Sequence, residues 1–384
     1  MKIDPWKHKE TYLKWKEKIT GRDILGISKD NSDLIIRYVL DMEEGINIAQ
    51  GSVKGSRSYS RLLLLKHRMA FFSRRFKECY NLDNITKIKE EQLISFFSNL
   101  KKGIIKREDG GEFKSTETYA KIFKAFWHWW IKINKKKGIE VLDITTDLDT
   151  KQEKPDWVYL TEEQVKKLCD NALYQHKVLI MFLFDTGIRA PTELMNIKVS
   201  DFFNDFKELN IREETTKTFG RRIKLMLCSN LIKEYVKLKS LKPDDYLFKF
   251  SPHAVNQYLK RLAKKVLGDG ISEAGQKYSE ITMYDFRHCS CCYWLPRYKS
   301  ESALKYRFGW KKSDKIHYYS ELLGMKDTIA EEDMLLDLTK TEIEKRLEKS
   351  EKEKEIMQER LANMEKFIEK FKLIADKLQI EITQ

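Results

Sequence analysis

The chain of 384 residues is 41% hydrophobic and 12% aromatic, which is enough to form two domains with hydrophobic cores and excludes a disordered tail or a small disulfide-stapled protein. Its 73 lysines and arginines against 59 acidic residues leave a net charge of +14, so a polyanion is the first partner to consider, with nucleic acid ahead of an anionic membrane surface. Because no segment approaches the roughly 18 apolar residues of a spanning helix, and the first residues lack the apolar stretch of a signal peptide, we expect a soluble, cytoplasmic protein without a membrane partner.

The first part of the chain predicts a helical appendage over residues 1–45 and a helical domain over residues 46–142. Within the domain, apolar residues recur at helical spacing in three segments, over about 62–72, 93–100 and 116–133. Basic residues crowd the edges of these segments, at Arg74, Arg75, Lys77, Lys135, Lys136 and Lys137. The pattern indicates an all-helical domain with a basic rim, as expected of a domain that binds a polyanion.

A polar stretch without apolar periodicity, residues 143–156, predicts a linker to a second domain over residues 157–328. Thr161 and Gln164 have the spacing of a capping box, which predicts a helix from about 162 to 172. A very apolar segment, 178–184, predicts a buried helix that ends at Gly187. Pro191 is suited to open the next helix.

Two short alternating segments, 208–212 and 222–227, predict the strands of a β-hairpin inside this second domain. Further helices are predicted at about 253–267, 284–295 and 303–308. The fold class is therefore mainly α with a small antiparallel β-sheet: a helical domain followed by a mixed α/β domain.

The tail, residues 329–384, has a pattern of its own. From 343 to 382 apolar residues recur at alternating steps of four and three, interrupted only by Ser350 and Lys354. A heptad repeat of this length predicts a coiled coil, which buries its apolar seam against a partner helix. The alternative is one long helix packed back on the body. Residues 340–384 carry equal numbers of acidic and basic side chains, so the charge of +14 belongs to residues 1–339.

Arg189 is the first candidate for phosphate chemistry, because a guanidinium stays charged and donates two parallel hydrogen bonds to phosphate oxygens. It lies in Asp185-Thr-Gly-Ile-Arg-Ala-Pro-Thr-Glu193, between a buried helix and the next element. An arginine at such an elbow also fits a structural ion pair, for example with Glu193. Other motifs along the chain favour the phosphate-binding role.

Those motifs are Lys217 in the hairpin, Tyr284-Asp-Phe-Arg287-His288, Phe308-Gly-Trp310, and Tyr319 nine residues after that tryptophan. In order and spacing they resemble the tyrosine recombinases, a family that includes the lambda-type integrases, the Xer recombinases and Cre and shares its catalytic core with type IB topoisomerases. The resemblance covers about residues 45–325. Gly-Ile-Arg-Ala-Pro-Thr-Glu-Leu looks most like archaeal integrases of mobile genetic elements. The resemblance to the tyrosine recombinases implies a core-binding domain followed by a catalytic domain.

The resemblance implies a site for each step of DNA strand transfer. Tyr319 matches the nucleophile that forms a 3′-phosphotyrosine link, Arg189 and Arg287 match the pair that clamps the phosphate, and Lys217 matches the general acid. Neither a metal ion nor another cofactor is implied. The adjacent Tyr318 is an alternative nucleophile, but neighbouring helical side chains diverge by about 100°, so only one of the two can face the phosphate.

Several positions depart from the commonest family pattern. Tyr284 stands where most members have His or Lys, and its phenol can donate a hydrogen bond but is a weak base. Trp310 stands where many members have His, and its indole N–H can still donate to a phosphate oxygen. His288 is a candidate helper around the site or a packing residue. Glu193 lies four residues beyond Arg189 rather than three and can brace it.

The predicted function is that of a site-specific DNA recombinase, an integrase, that cuts and rejoins double-stranded DNA as a homo-tetramer on paired sites. The tail then serves self-association or recruits a partner protein. One alternative is a non-catalytic DNA-binding or maintenance protein with the same fold, and another is topoisomerase-like relaxation. Six cysteines lack the paired spacing of a zinc site and are interpreted as packing residues; His317 with the cysteines over 289–292 is the metal-site alternative.

Overall fold

The computed structural model describes residues 3–19, 23–46, 55–151, 156–298 and 300–323, together with residues 350, 351, 354, 357, 358, 361 and 364. These residues divide into two compact units. The first lies within Met1–Trp294 and Ser300–Ser313, and the second contains the helix that begins at Asp314. Among the residues described, no helix is both long enough and apolar enough to cross a membrane.

The secondary structure of the amino-terminal part of the first unit is helical among its described residues, apart from an isolated β-bridge between Lys106 and Glu112. Its helices are α1 (His8–Ile19), α2 (Lys29–Glu44), α3 (Tyr59–Tyr80), α4 (Glu90–Lys101) and α5 (Thr116–Lys135). The three helices predicted for the core-binding domain are confirmed as α3, α4 and α5, each longer than its apolar segment because polar caps extend the ends. Ser58 caps the start of α3, and Asn81, in the left-handed conformation, ends it.

One aromatic core holds these five helices together. Tyr12 of α1 and Tyr38 of α2 are buried in the same cluster as Phe72, Phe123 and Trp129. The Trp129 indole N–H donates to an Asp41 carboxylate oxygen at 2.8 Å, so this buried polar group has a hydrogen-bond partner. Helices α1 and α2 of the predicted appendage, residues 1–45, thus pack into this core, while the domain limits themselves stay predictions.

The carboxyl-terminal part of the first unit alternates helices with a small sheet. Its helices are α6 (Glu162–Asn171), α7 (Tyr174–Thr186), α8 (Ser229–Leu238), α9 (Pro252–Leu267), α10 (Asp285–Trp294) and α11 (Glu301–Phe308), and its strands are β1 (Phe202–Phe203), β2 (Glu208–Ile211) and β3 (Arg221–Lys224). The predicted capping box is present. Gln164 N donates to the Thr161 hydroxyl at 3.3 Å, and Thr161 N donates to the Gln164 side chain at 3.0 Å.

The three strands form an antiparallel sheet in the order β1-β2-β3. In the β2–β3 pair Glu208 lies opposite Lys224 and Ile211 opposite Arg221, so the predicted hairpin is confirmed with shorter strands. One expectation was wrong, and one helix was missed. Pro191 opens no α-helix, since only a turn of 3-10 helix, Leu194–Asn196, follows it. Helix α8 was not expected from the sequence.

The predicted linker lies partly within the described residues. From 143 to 151 it forms neither helix nor strand, and Leu148 is buried against the aromatic core of the first five helices. The predicted coiled coil lies largely outside the described residues. Those of the tail that are described, between 350 and 364, are helical, and the coiled coil stays a prediction.

Candidate active site

Arg189 is positioned by the end of α7. Gly187 ends this helix in the left-handed conformation, with φ of 56°, which glycine adopts without steric cost. A Cβ at this position would collide with the Phe308 ring and lie 2.8 Å from the Ser290 hydroxyl, so only glycine fits the space. The tight turn therefore brings Arg189 out of the buried helix within two residues.

Glu193 is the carboxylate at the centre of the site. It is 1% exposed and accepts hydrogen bonds from Arg189 Nη1 at 2.7 Å, from Arg221 Nη2 at 2.8 Å and from the Thr216 hydroxyl at 2.6 Å. Burial opposes its ionisation, but the hydrogen bonds and charge of Arg221, with further donors from Arg189 and Thr216, lower the pKa of Glu193 to about 2. Glu193 thus holds two arginines and the hairpin loop in one network.

Arg287 extends from α10 into the same region and is 3% exposed. Its Nη2 donates to the Phe308 carbonyl at 2.7 Å, and its Nη1 donates to the Gly187 carbonyl. Burial and the neighbouring charge of Arg189 lower the pKa of Arg287 to about 10, so the guanidinium remains protonated at neutral pH. Two main-chain carbonyls therefore fix the direction of this side chain.

The Phe308–Gly309 backbone is where the elements of the site meet. Arg189 Nη2 donates to the Gly309 carbonyl at 2.9 Å, and the Thr218 hydroxyl donates to the same oxygen at 3.0 Å. Gly309 has φ of 62°, and a Cβ there would lie 3.0 Å from Arg221 Nη1 and 3.3 Å from Arg189 Nη1. The absence of a side chain at Gly309 allows the arginines to approach this closely.

Lys217 lies in the β2–β3 loop between two threonines that are tied to the site. Thr216 accepts from Arg189 Nη1 at 3.3 Å, and Thr218 donates to Gly309, as described above. The Lys217 side chain itself is exposed. The structure thus brings together the loop that carries Lys217 with Arg189 and, through Phe308–Gly309, with Arg287.

A second buried ion pair supports this arrangement. Arg307 Nη2 donates to an Asp185 carboxylate oxygen at 2.8 Å, and the other carboxylate oxygen accepts from the main-chain N–H groups of Met226, Leu227 and Cys228 at 3.0, 2.7 and 3.0 Å. The pair joins the end of α7, the segment after β3 and the end of α11. It therefore holds together the three elements that support the arginines.

Three predicted residues border this cluster. Tyr284, one helical turn before Arg287, is 46% exposed, and its ring meets His288 edge-on at 5.2 Å between centroids. His288 is half-buried and stacks on Trp157 at 4.7 Å, which supports the packing interpretation of this histidine. Trp310 stacks on Phe308 at 4.9 Å. Trp310 is therefore held beside Phe308, whose carbonyl accepts from Arg287, and the Tyr284 carbonyl accepts from Arg287 N at 3.0 Å.

Tyr319 belongs to the second unit, in α12 (Asp314–Leu323). Its side chain is 3% exposed, whereas Tyr318 is half-buried, and the two rings lie 5.1 Å apart at 80°. The two tyrosines therefore have different environments, as expected of neighbours on a helix. The place of Tyr319 relative to the arginines remains a prediction from the sequence.

Five of the six cysteines, Cys169, Cys228, Cys289, Cys291 and Cys292, are buried, and Cys79 is exposed. Cys289 Sγ lies 3.4 Å from the Val158 carbonyl, a packing contact between α10 and the start of the second domain. No group of three His, Cys, Asp or Glu side chains that could hold a metal ion occurs in the part of the chain that the structure describes.

Sequence reasoning missed four residues that hold the site. Arg221, Thr216 and Thr218 reach it from the hairpin, and Arg307 reaches the Asp185 carboxylate from α11. A signal for Arg221 was available: along β3, residues 221 and 223 point inward and 222 and 224 outward. Because strand side chains alternate, the buried Ile223 places Arg221 on the same inner face.

Residues 158–324 match the model of the phage integrase family. Among solved structures, the chain is similar to a lambda integrase (75–356) dimer bound to a COC′ core site, with a TM-score of 0.54, 15% identity, and 80% of this chain and 99% of that chain covered. It is also similar to the Tn1549 transposon integrase in complex with circular intermediate DNA, with a TM-score of 0.53 and 16% identity. That match covers 76% of this chain and 95% of the transposon integrase chain. The chain is similar as well to XerH recombinase bound to palindromic difH substrate, with a TM-score of 0.52 and 14% identity. That match covers 84% of this chain and 96% of the XerH chain. No curated protein matches this chain by sequence.

Proposed function

Because this chain carries a phage integrase family domain over residues 158–324 and is thereby a tyrosine recombinase, we propose that it cuts and rejoins DNA strands at specific sites through a covalent 3′-phosphotyrosine intermediate. One observation carries the proposal: Arg189 and Arg287 both donate to the Phe308–Gly309 backbone, and the loop with Lys217 is tied to the same point. Cationic side chains fixed in advance are what a phosphoryl-transfer site requires.

In the proposed step the phenol of Tyr319 gives up its proton to solvent as its oxygen attacks the scissile phosphorus. The bond from phosphorus to the 5′ oxygen breaks, a 3′-phosphotyrosine bond forms, and Lys217 gives a proton to the departing 5′ oxygen. The phosphodiester energy is kept in the new bond. A 5′ hydroxyl from another strand can then attack the phosphotyrosine, so that the strand is rejoined and the tyrosine released without an external energy source.

Arg189 and Arg287 bind the non-bridging oxygens of the phosphate in this proposal. Each guanidinium has five N–H donors, and the hydrogen bonds to Glu193, Gly187, Phe308 and Gly309 fix its plane. The remaining donors are therefore directed before DNA binds, which lowers the reorganisation that accompanies charge development on the phosphate. Tyr284 and Trp310 add a phenol O–H and an indole N–H as further donors.

We propose double-stranded DNA as the partner and a homo-tetramer on paired sites as the working assembly. Lambda integrase has been solved as a dimer on a core site and as a tetramer on a Holliday junction, and this chain shares that fold. The net charge of +14 supports a DNA partner, because basic side chains release counterions from the phosphate backbone on binding.

We further propose that the tail joins copies of this chain through a coiled coil. Met357, Leu361 and Met364, at steps of four and three, are helical and are 66%, 55% and 62% exposed in the single chain. Apolar side chains at these steps form one face of a helix, and an exposed apolar face of this kind is buried when two helices associate. A second copy of the chain presents the identical face.

The proposed chemistry is tested with a nicked DNA substrate that traps the covalent intermediate. The wild-type chain is expected to form a protein–DNA adduct that survives a denaturing gel, Tyr319→Phe to form none, and the matched control Tyr318→Phe to form it. Equal trapping by both variants would refute the assignment of the nucleophile. If the wild-type chain binds DNA but never forms the adduct, the chain is a DNA-binding protein without strand cleavage.

The proposed tail association is tested by sedimentation of the full chain without DNA. Leu361→Glu is expected to shift the chain toward monomer, because a charge in the seam cannot be buried without a partner. Gln358→Glu, on the same exposed helix but outside the seam, is expected to leave the assembly unchanged. Identical sedimentation of both variants and wild type would exclude the seam as an interface.

A further inference from the structure

Asn196 connects the first residues of the chain to the loop that carries Arg189 and Glu193. Ile3 N donates to Asn196 Oδ1 at 2.7 Å, and Asn196 Nδ2 donates to the Ile3 carbonyl at 3.0 Å. The two residues are 193 positions apart in the chain. Asn196 thus pairs with both polar groups of one main-chain residue, in the way that a strand pairs with its neighbour.

The pairing uses the full capacity of a buried side chain. Asn196 is 1% exposed, and its second amide proton is donated to the Thr192 carbonyl at 2.8 Å. One acceptor and two donors are required here, and among the short side chains only an amide supplies them. An aspartate would lose both donors, and a buried polar group left without its partner is costly.

On the amino-terminal side, Ile3 is fixed to a packed helix. Asp4 follows it directly, and its carboxylate accepts from Trp6 N at 3.1 Å and from His8 N at 2.7 Å, at the point where α1 begins. Tyr12 of α1 is buried in the aromatic core and donates to Glu43 of α2 at 2.9 Å. The hydrogen bonds at Asp4 and the burial of Tyr12 therefore fix the position of Ile3 relative to the helical core.

On the other side, Asn196 is fixed to both parts of the candidate active site. Its N–H donates to the Glu193 carbonyl at 3.0 Å, and Glu193 N donates to the Arg189 carbonyl at 2.8 Å. The Asn196 carbonyl accepts from Arg212 Nη2 at 2.6 Å, and Arg212 directly follows β2, at the start of the loop that carries Lys217. Asn196 therefore lies between the Arg189 loop and the hairpin.

We propose that Asn196 is a positioning residue, through which the amino-terminal segment of the chain holds the Arg189 loop and the hairpin in register for phosphate binding. This inference rests on the proposed function, because that function gives the Arg189 loop and the hairpin their role in phosphate binding. It makes the helical part of the chain a mechanical support of the catalytic residues, in addition to a surface for DNA. Asn196 itself touches none of the reacting groups.

Hydrogen exchange tests the connection independently of catalysis. Ile3→Pro removes the N–H that Asn196 accepts, whereas the matched variant Ile3→Ala keeps both main-chain groups. In the full chain, Ile3→Pro is expected to speed amide exchange at Glu193, Met195 and Asn196 by roughly tenfold, the equivalent of one lost buried hydrogen bond. Ile3→Ala is expected to exchange as the wild type does.

Covalent trapping then tests the positioning role. Ile3→Pro is expected to lower the rate of adduct formation at saturating DNA by roughly ten- to a hundredfold, with DNA affinity changed less than about twofold, because misplaced reacting groups slow chemistry without weakening binding. Asn196→Asp is expected to recover part of its lost rate as the pH falls, since protonation returns one donor to the carboxyl group. A role in stability alone would produce neither the split between rate and affinity nor the pH-dependent recovery.

The outcomes separate this inference from the proposed function. Failure of the wild-type chain to form an adduct refutes the proposed function, and amide exchange then decides the connection by itself. Equal exchange in Ile3→Pro and Ile3→Ala overturns the connection. Faster exchange with an unchanged cleavage rate overturns the positioning role, and a loss of DNA affinity in proportion to the loss of rate does the same.

Discussion

Glu193 and Arg221 form an ion pair that is buried on both sides, with the carboxylate 2.8 Å from Arg221 Nη2. The same carboxylate also binds Arg189 and Thr216, so one acidic group balances the charge of two arginines. A buried charge is tolerated when it is paired and hydrogen-bonded, as this one is. The pair therefore contributes to stability only as long as both partners are present.

We predict that Glu193→Gln lowers the free energy of unfolding by about 3–5 kcal/mol, because it leaves the buried Arg221 without its counterion. Urea unfolding measures the change. Glu208→Gln is the matched control, since Glu208 pairs with the exposed Arg222 of the same sheet at 2.5 Å. That variant is expected to lose less than about 1 kcal/mol. Similar losses in the two variants would contradict the prediction.

The pH dependence of stability reports on the same carboxylate. The hydrogen bonds and charge of Arg221 outweigh burial and lower the pKa of Glu193 from its ordinary 4.5 to about 2. Between these values the unfolded chain binds more protons than the folded chain, so this stabilisation is complete above about pH 5 and is lost toward pH 2. The stability difference between wild type and Glu193→Gln is therefore expected to shrink over that interval. A difference that stays constant from pH 6 to pH 2 would show that the pKa of Glu193 is the same in the folded and the unfolded chain.

Gly187→Ala is predicted to be among the most destabilising single-methyl changes in the protein. It combines a φ of 56° with a collision against the Phe308 ring. Gly138→Ala is the control, because Gly138 has φ of 74° and open space around it. The control is expected to cost about 1–2 kcal/mol from backbone strain alone, and Gly187→Ala about 1–3 kcal/mol more from overpacking. Thermal unfolding separates the two, and equal costs would mean that the site adjusts around the new methyl group.

Ser290→Ala is predicted to leave stability unchanged or to raise it by up to about 1 kcal/mol. The Ser290 hydroxyl is buried, and no described residue accepts its hydrogen bond. Ser73→Ala is the matched control in another buried helix, since the Ser73 hydroxyl donates to the Met69 carbonyl at 3.1 Å. The control is expected to lose about 1 kcal/mol. A loss in Ser290→Ala as large as in Ser73→Ala would indicate that the hydroxyl has a partner.

The role of Lys217 as proton donor predicts a rescue by substrate chemistry. Lys217→Ala is expected to slow cleavage of ordinary DNA by about a hundredfold or more, the usual range for general acid catalysis. Cleavage of DNA whose bridging 5′ oxygen is replaced by sulfur is expected to proceed at nearly the wild-type rate, because a thiolate leaves without a proton. Lys224→Ala, exposed on β3, is the control and should cleave both substrates normally. An equal defect on both substrates would exclude the acid role.

Much of this architecture could be predicted because its signals are local. The aromatic residues of α5 recur at helical spacing, Thr161 and Gln164 form their capping box within one turn, and Gly187 ends its helix as a left-handed residue. Helix α8 was missed although its apolar residues Leu231, Ile232, Tyr235 and Val236 recur at helical spacing.

The parts that could not be predicted depend on contacts between distant positions. Nothing near Asn196 in the sequence points to Ile3, and nothing near Gly309 points to Arg189 or Thr218. Glu193 was expected to brace Arg189 and does accept a hydrogen bond from it, but its ion pair with Arg221 follows from the fold. Arg221 could have been placed inward by the alternation of β3, whereas its partner could not have been identified from that pattern.

Arg189 and Arg287 are anchored to the main-chain oxygens of Gly187, Phe308 and Gly309, and a substitution at any other residue leaves these acceptors in place. A mutation can delete a carboxylate or a hydroxyl, but it cannot delete a peptide oxygen. Sequence drift can therefore alter most surrounding side chains while the orientation of both guanidinium groups is inherited unchanged.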